Sequence, residues 1–166
     1  MSVPSNVILI GMPASGKSTV GVLAAKGLGF DFVDTDLLLQ RQEGMKLSEI
    51  LARGAKGFLD AEDGLLAALS VTQSVVSTGG SAVYHARGMA QLKSLGTVVW
   101  LDVPYDEIER RLGDMVTRGV VLKPGQTLRD LFDERRPLYE SWADLRLAVG
   151  QEPLETTANR LVALVR

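Results

Sequence analysis

The sequence contains no cysteine, and this absence excludes disulfide bonds and thiolate metal sites. It also lacks a strong excess of one charge, because 18 basic residues are balanced by 20 acidic ones. A formal net charge of -2 provides no basic surface field for holding DNA or RNA. We therefore expect no nucleic-acid partner.

Long apolar runs are missing as well, and the longest stretches fall far short of a membrane span. The first residues, MSVPSN, lack the charged and apolar regions of a secretory signal peptide. We therefore expect a cytoplasmic protein with no membrane partner. The 166 residues, 46% of them hydrophobic, have room for one domain with a sizeable core. We expect a single domain over 1–166 and a monomer.

Short apolar runs alternate with helical patterns along the chain. The runs predict strands at 7–10, 30–34, 75–78, 97–102 and 145–149. The helical patterns lie at 17–28, 47–53, 58–70, 88–95, 104–116, 127–139 and 156–165. Continuous apolar character predicts strands that are covered on both faces, as in a parallel sheet. The alternation is typical of a three-layer α/β domain.

A glycine-rich stretch follows the first predicted strand and precedes the first predicted helix. Gly11, Gly16, Lys17 and Ser18 match the pattern G-x-x-x-x-G-K-[ST]. Glycines let successive N–H groups converge on phosphate oxygens, and the helix N-terminus favours the same negative charge. The alternative is a turn that only links strand to helix. The residues expected to bind a nucleotide here are Gly11, Ala14, Ser15, Gly16, Lys17, Ser18 and Thr19.

Two carboxylates follow the second predicted strand, in the stretch DFVDTD. Asp34 and Asp36 lie where α/β sheets place their ligands, at the carboxyl end of a strand. One could orient the shell of a Mg²⁺ ion held by Ser18, and the other could accept the proton of an attacking hydroxyl. Asp36 could also cap a helix that begins at LLLQRQ.

Four motifs in this order resemble the shikimate kinase family over about residues 6–149. They are the phosphate loop, D-T-D after the second strand, S-T-G-G-S after the third, and R-R-P-L-Y near the end. The resemblance implies a P-loop kinase fold with five parallel strands in the order 2-3-1-4-5. It also implies a substrate-binding subdomain at about 35–70 and a lid at about 113–126. The implied reaction is ATP- and Mg²⁺-dependent transfer of phosphate to the 3-hydroxyl of shikimate.

The resemblance also implies roles for the residues near the acceptor. Asp34 corresponds to the Mg²⁺-associated aspartate, and Asp36 to the aspartate that contacts the acceptor hydroxyl and serves as base. Gly79 and Gly80 correspond to a backbone cradle beside the substrate. Without the resemblance, the two glycines would predict only a turn after a strand.

Three arginines acquire roles in the same way. Arg118 resembles the lid arginine that closes on the transferring phosphate, and Arg135 resembles the arginine that grips the substrate carboxylate. Arg111 resembles the arginine that stacks on adenine. Each could instead be a solvated charge on a polar helical face.

The chain departs from the family pattern at two positions. The family has F-R-x-x-E, whereas Leu59 follows Phe58 here, and Ser81 replaces a third glycine. The missing arginine leaves Glu62 without its cationic neighbour, if Glu62 keeps its family position. An acceptor with an ammonium group, such as homoserine, would supply that charge while Arg135 held its carboxylate. A basic residue arriving from elsewhere would instead restore shikimate binding.

Other acceptors and one other class of function stay open. The acceptor is a small hydroxyl compound, with gluconate as a further candidate. A nucleoside monophosphate acceptor is disfavoured, because the acidic 58–63 segment would repel its phosphate. A nucleotide-binding regulator without catalysis would not need Lys17, Ser18, Asp34, Asp36 and Arg118 together. His85 is expected to be structural.

Overall fold

A computed structural model describes residues 4–113, 120 and 122–166. Five parallel strands form one sheet in the order β2-β3-β1-β4-β5. This confirms both the α/β class and the expected strand order. The strands are β1 Asn6–Ile10, β2 Asp31–Asp34, β3 Ser74–Ser77, β4 Thr97–Asp102 and β5 Leu145–Ala148.

The apolar runs in the sequence mark the centre of the sheet. Every residue of β1 and β3 is buried, so helices must cover both faces of these strands. The edge strands β2 and β5 are only partly buried, since each has one neighbour. The strand with the most continuous apolar sequence therefore lies in the middle, and it leads directly into the glycine-rich stretch.

Eight α-helices and one short 3-10 helix, at Ala82–Tyr84, occur in the described residues. The helix over 35–43 was raised only through the alternative that Asp36 caps a helix beginning at LLLQRQ, and the helix expected at 58–70 lies three residues earlier. Gly54, with φ of 123°, is the N-cap of that helix and sets its start. The α-helices are α1 Lys17–Leu28, α2 Thr35–Glu43, α3 Leu47–Ala52, α4 Ala55–Ala67, α5 Ala86–Leu95, α6 Tyr105–Leu112, α7 Leu128–Trp142 and α8 Leu154–Val165.

Helices α2, α3 and α4 share a small apolar cluster of their own. Leu39, Ile50 and Phe58 form its buried centre, apart from the main core around the sheet. This cluster lies within the segment 35–70, for which the resemblance predicts a substrate-binding subdomain. Most of the proposed lid at about 113–126 lies outside the described residues. No helix in the described part of the chain is long and apolar enough to cross a membrane.

Two glycines give opposite predictions for stability. A Cβ atom at Gly96 would lie 2.1 Å from the backbone oxygen of Asn6, so Gly96→Ala must displace β1 from β4. We expect a loss of about 2 kcal/mol or more in the free energy of unfolding.

Gly64 lies exposed within α4, and a Cβ there would meet no atom within 4 Å. Gly64→Ala should stabilise by about 0.5–1 kcal/mol, and urea unfolding of both variants would measure the two effects.

Candidate active site

The glycine-rich stretch forms a tight loop between β1 and α1. Gly11 and Gly16 have φ of 152° and 92°, and Gly16 is the N-cap residue of α1. A Cβ at Gly11 would lie 2.9 Å from the backbone oxygen of Leu101, and one at Gly16 would lie 2.9 Å from Leu154 Cδ2. Glycine is therefore needed at both positions, on backbone and steric grounds. The loop presents a helix N-terminus of the kind that binds phosphate.

Lys17 lies against the inside of this loop. Its ammonium group donates to the backbone oxygens of Gly11 and Met12, at 2.8 Å each, and to Ser15 Oγ at 3.3 Å. Burial lowers the pKa of Lys17 to about 8, although the charge of Asp36 opposes the shift. The lysine is thus a buried cation at the helix N-terminus, where it can attract phosphate oxygens.

Asp34 and Ser18 come together at the start of α2. Ser18 Oγ donates to Asp34 Oδ2 at 2.9 Å and lies 3.3 Å from Ser77 Oγ. The other oxygen of Asp34 accepts from the N–H groups of Asp36 and Leu37, which makes Asp34 the N-cap of α2. The alternative reading of Asp36 as the cap is therefore wrong.

This pair fits the expected Mg²⁺ site. A hydroxyl and a carboxylate oxygen converge beside the phosphate loop, and Mg²⁺ binds through one or two such oxygens together with nucleotide phosphates and water. Among the described residues no group of three or more His, Cys, Asp or Glu side chains that could hold a metal ion occurs.

Asp36 lies in the first turn of α2, where it is partly buried. Burial raises the pKa of Asp36 to about 6, and the charges of Glu62 and Asp34 add to the rise, while Lys17 opposes it. A Cβ at Gly79 would lie 2.9 Å from Asp36 Oδ1 and 2.8 Å from Glu62 Oε2. The glycine therefore leaves room in front of two carboxylates, one of which has a pKa suited to proton transfer near neutral pH.

One cavity, of about 310 Å³, connects these groups. The phosphate loop forms one wall, and Asp36 with the turn after β3 forms the other. Leu47 closes the cavity from α3. The lining residues are Pro13, Ala14, Gly16, Lys17, Ser18, Thr19, Asp36, Leu47, Thr78, Gly79 and Gly80.

Arg135 reaches the turn after β3 from α7. It is 1% exposed, and its Nη1 would lie 2.9 Å from a Cβ at Gly80. Tyr139, one turn further along the helix, donates to the backbone oxygen of Gly80 at 2.7 Å. Burial raises the pKa of Tyr139 to about 12, so the hydroxyl stays protonated and donates. Helix α7 thus fixes both the glycine turn and a cation beside it.

A chain of polar contacts, which was not predicted from the sequence, links Arg135 to the segment before α7. Arg135 Nε donates to the Tyr84 hydroxyl at 3.3 Å, which donates to Glu134 Oε2 at 2.6 Å. Lys123 Nζ donates to Glu134 Oε1 at 2.8 Å. Hydrogen bonds from Lys123 and Tyr84 lower the pKa of Glu134 to about 2. No local sequence pattern indicates these contacts, because Tyr84 and Glu134 are 50 residues apart in the chain.

Glu62 is buried in α4 and has partners that the sequence did not indicate. Its Oε1 accepts from Ser81 Oγ at 2.6 Å and lies 2.7 Å from His85 Nε2. The predicted loss of a cationic neighbour is thus accompanied by a histidine partner from another element. Its Oε2 is buried and has no hydrogen-bond partner among the described residues.

Leu59 does not reach the cavity. Its side chain is partly buried and packs against the apolar cluster around Leu39, Ile50 and Phe58. Arg53 and Lys56, the basic residues closest in sequence, are exposed. Position 59 is thus filled by an apolar side chain that contacts this cluster.

The remaining predicted residues lie around the loop or outside the described part of the chain. Arg111 Nη1 donates to the backbone oxygen of Ala14 at 3.1 Å, and its Nε donates to Glu107 Oε1 at 2.8 Å. Arg111 therefore lies against the outer side of the phosphate loop. Ser15, which belongs to the loop, is buried, and Thr19 lines the cavity. Arg118 lies outside the described residues.

Sequence comparisons identify relatives over nearly the whole chain. The family model for shikimate kinase matches residues 13–166. A shikimate kinase from Persephonella marina is 35% identical over 164 residues, which cover 97% of this chain and 99% of the relative. A shikimate kinase from Nostoc sp. is 39% identical over 165 residues, which cover 96% of this chain and 90% of the relative.

A comparison with solved structures also finds a shikimate kinase. Shikimate kinase from Acinetobacter baumannii, in complex with shikimate, matches with a TM-score of 0.88 and 33% identity. The match covers 97% of this chain and 92% of that chain. The agreement in fold therefore extends from the phosphate loop through the helices that surround the cavity.

The charged groups near Asp36 yield a prediction about the pKa of this residue. Replacing Glu62 by glutamine removes a neighbouring negative charge, so the pKa of Asp36 should fall below its value of about 6 in the unaltered protein. Carboxyl-carbon NMR titration would measure the shift. Asp60→Asn is the matched control, because Asp60 is an exposed carboxylate on the same helix. An unchanged Asp36 titration in Glu62→Gln would contradict the coupling.

Proposed function

The chain belongs to the shikimate kinase family, and we propose that it transfers the γ-phosphoryl group of ATP to the 3-hydroxyl of shikimate. Members of this family are ATP-dependent small-molecule kinases. The observation that carries the proposal is the single cavity that has the phosphate loop on one wall and Asp36 with Gly79 and Gly80 on the other. A phosphate donor and a small acceptor would meet there.

On the phosphate side of the cavity, the chain would position the phosphates and supply positive charge. The N–H groups of the loop and the Lys17 ammonium would hold the β- and γ-phosphates. Ser18 and Asp34 would hold Mg²⁺, directly or through water, and the ion would neutralise charge that develops on the transferring group. Arg111, which contacts the outer side of the loop, would stack on adenine, and Arg118 would act from the lid.

On the acceptor side, Asp36 would serve as general base. Its carboxylate borders the cavity at Gly79, and its raised pKa suits it to accept the proton of the attacking hydroxyl. Arg135 would hold the acceptor carboxylate, since it is a buried cation next to Gly80. The backbone of Gly79 and Gly80 would contact the ring, because both residues line the cavity.

Homoserine is the second candidate acceptor, and one observation favours it. Leu59 supplies no charge to the cavity, while Glu62 Oε2 has no partner in the described residues. An ammonium group could bind there. Shikimate carries hydroxyl groups instead of an ammonium group, and hydroxyl groups are also hydrogen-bond donors.

The proposal is tested by ADP release from Mg²⁺-ATP with shikimate, homoserine and gluconate offered separately. We expect turnover of shikimate and a loss of about 10²–10⁴-fold in kcat for Asp36→Asn, because the base is removed. Turnover of homoserine alone would replace the proposed acceptor. Tight ATP binding with no acceptor-dependent ADP release would favour a regulator over a kinase.

Asp36→Asn should also raise the stability of the folded protein, although it lowers activity. The folded-state pKa of about 6 exceeds the ordinary value of 3.8, so ionisation of Asp36 opposes folding as the pH rises through this range. Removing the charge should stabilise the protein by about 1–3 kcal/mol at about pH 7.5 and by little near pH 4. Thermal unfolding at the two pH values would show the difference, and destabilisation at the higher pH would contradict it.

A further inference from the structure

The outer side of the phosphate loop is contacted by a side chain that comes from α6. We propose that Arg111 holds the loop in its binding conformation through the backbone oxygen of Ala14, and that Glu107 is the positioning residue that holds Arg111. The inference rests on the proposed function only as far as the binding of ATP, and it does not depend on which acceptor is used.

The first step is the backbone conformation of the loop at Ala14. This residue has φ of 65°, and among the described residues Gln73 is the one other non-glycine residue with a positive φ. A residue with a Cβ atom rarely adopts this left-handed region, so contacts from the surroundings must keep it there. Ala14 lines the cavity, and a change in its conformation would therefore change the wall that faces the phosphates.

The second step is the peptide group that follows Ala14. The N–H of Ser15 donates to the backbone oxygen of Met12 at 3.1 Å, and Arg111 Nη1 donates to the backbone oxygen of Ala14 at 3.1 Å. This N–H and this oxygen belong to one planar peptide group, which is thus bonded on both sides. Gly16, the N-cap residue of α1, comes next in the chain. The arginine therefore helps to fix the peptide plane that leads into the helix N-terminus.

The third step is the orientation of Arg111 itself. Its Nε donates to Glu107 Oε1 at 2.8 Å, and the side chains of Arg111 and Glu107 are only 17% and 6% exposed. Hydrogen bonds from Arg110 and Arg111 lower the pKa of Glu107 to about 2, so the carboxylate is charged at neutral pH. Charge-assisted hydrogen bonds of this kind are short and directional. Because Nε and Nη1 both have a fixed acceptor, the plane of the guanidinium group is fixed as well.

The second arginine on Glu107 provides a matched comparison. Arg110 Nε and Nη2 donate to Glu107 Oε2 and Oε1 at 2.9 and 2.6 Å, but this side chain is 69% exposed. The alternative role for the whole cluster is to stabilise α6 by ion pairs three and four residues apart. That role predicts similar effects for the loss of Arg110 and of Arg111. The proposed role predicts that only the loss of Arg111 changes the phosphate loop.

The first test is amide hydrogen exchange, measured by NMR in the protein without nucleotide. We expect the Ser15 N–H to exchange about tenfold faster in Arg111→Met and in Glu107→Ala, because the loop then leaves its conformation more often. Arg110→Ala and Glu109→Ala, an exposed glutamate of the same helix, should leave this rate within about twofold. Stacking of Arg111 on adenine cannot contribute, since no adenine is present.

The second test measures ATP KM, acceptor KM and the urea midpoint. We expect ATP KM to rise by about fivefold to twentyfold in Arg111→Met and in Glu107→Ala, with acceptor KM within about twofold. Glu107→Gln keeps an oxygen that can accept from Arg111 Nε, so it should recover part of the loss. The double variant should lose no more than Arg111→Met alone, because Glu107 acts through Arg111.

The exchange data decide whether the loop is involved. An unchanged Ser15 rate in Arg111→Met would overturn the inference, whatever happens to ATP KM, since only a contact with the base would then be lost. Faster exchange with an unchanged ATP KM would also overturn it. Equal acceleration at Ile8, in the centre of β1, together with a lower urea midpoint, would show a general loss of stability and contradict a specific effect on the loop.

The kinetic data decide the role of Glu107 and separate the inference from the proposed function. Additive losses in the double variant, or equal effects of Arg110→Ala and Glu107→Ala, would overturn positioning by Glu107. The expected exchange rates and ATP KM values without turnover of shikimate, but with turnover of another acceptor, would overturn the proposed acceptor and support the inference. No binding of Mg²⁺-ATP to the unaltered protein, measured by calorimetry, would overturn both.

Discussion

The parallel arrangement of β2, β3 and β1 is the constraint on which the site depends. Parallel strands end at the same edge of the sheet, so three loops that are distant in sequence must meet there. The loop after β1 brings Lys17, β2 ends at Asp34, and the turn after β3 brings Gly79. The central strand is wholly buried, which fixes the phosphate loop relative to the other two.

This convergence forces charges together in a partly buried space. Asp34, Asp36 and Glu62 are near one another, and Lys17 lies close enough to Asp36 to affect the ionisation of that residue. The result is a lysine with a lowered pKa and an aspartate with a raised one, both from burial first. Groups whose pKa values approach neutrality can exchange protons or respond to charge during a reaction. The burial of these charges beside one another therefore lowers the stability of the fold but favours catalysis.

The fold and the phosphate loop could be predicted from sequence because their signals are local. Apolar runs mark strands, and the spacing of Gly11, Gly16 and Lys17 marks a loop whose geometry only glycine allows. Helix α2 was raised only as an alternative, since its start is set by Asp34 acting as cap rather than by an apolar pattern. The contact between Glu62 and His85 could not be predicted, because it joins residues 23 apart through packing of α4 against α5. The chain from Lys123 to Arg135 depends on tertiary packing in the same way.

The substitution at position 59 shows why a motif must be read together with its surroundings. An arginine there would present a cation to Glu62 from the next turn of its own helix, whereas Leu59 extends an apolar cluster. The carboxylate keeps a partner nonetheless, because His85 and Ser81 contact it from the other side. The charge pattern of the helix alone suggests an unbalanced acidic wall, but in the packed structure two partners contact Glu62 Oε1, whereas Oε2 has none among the described residues. The surroundings of this carboxylate are therefore decided by residues outside the motif.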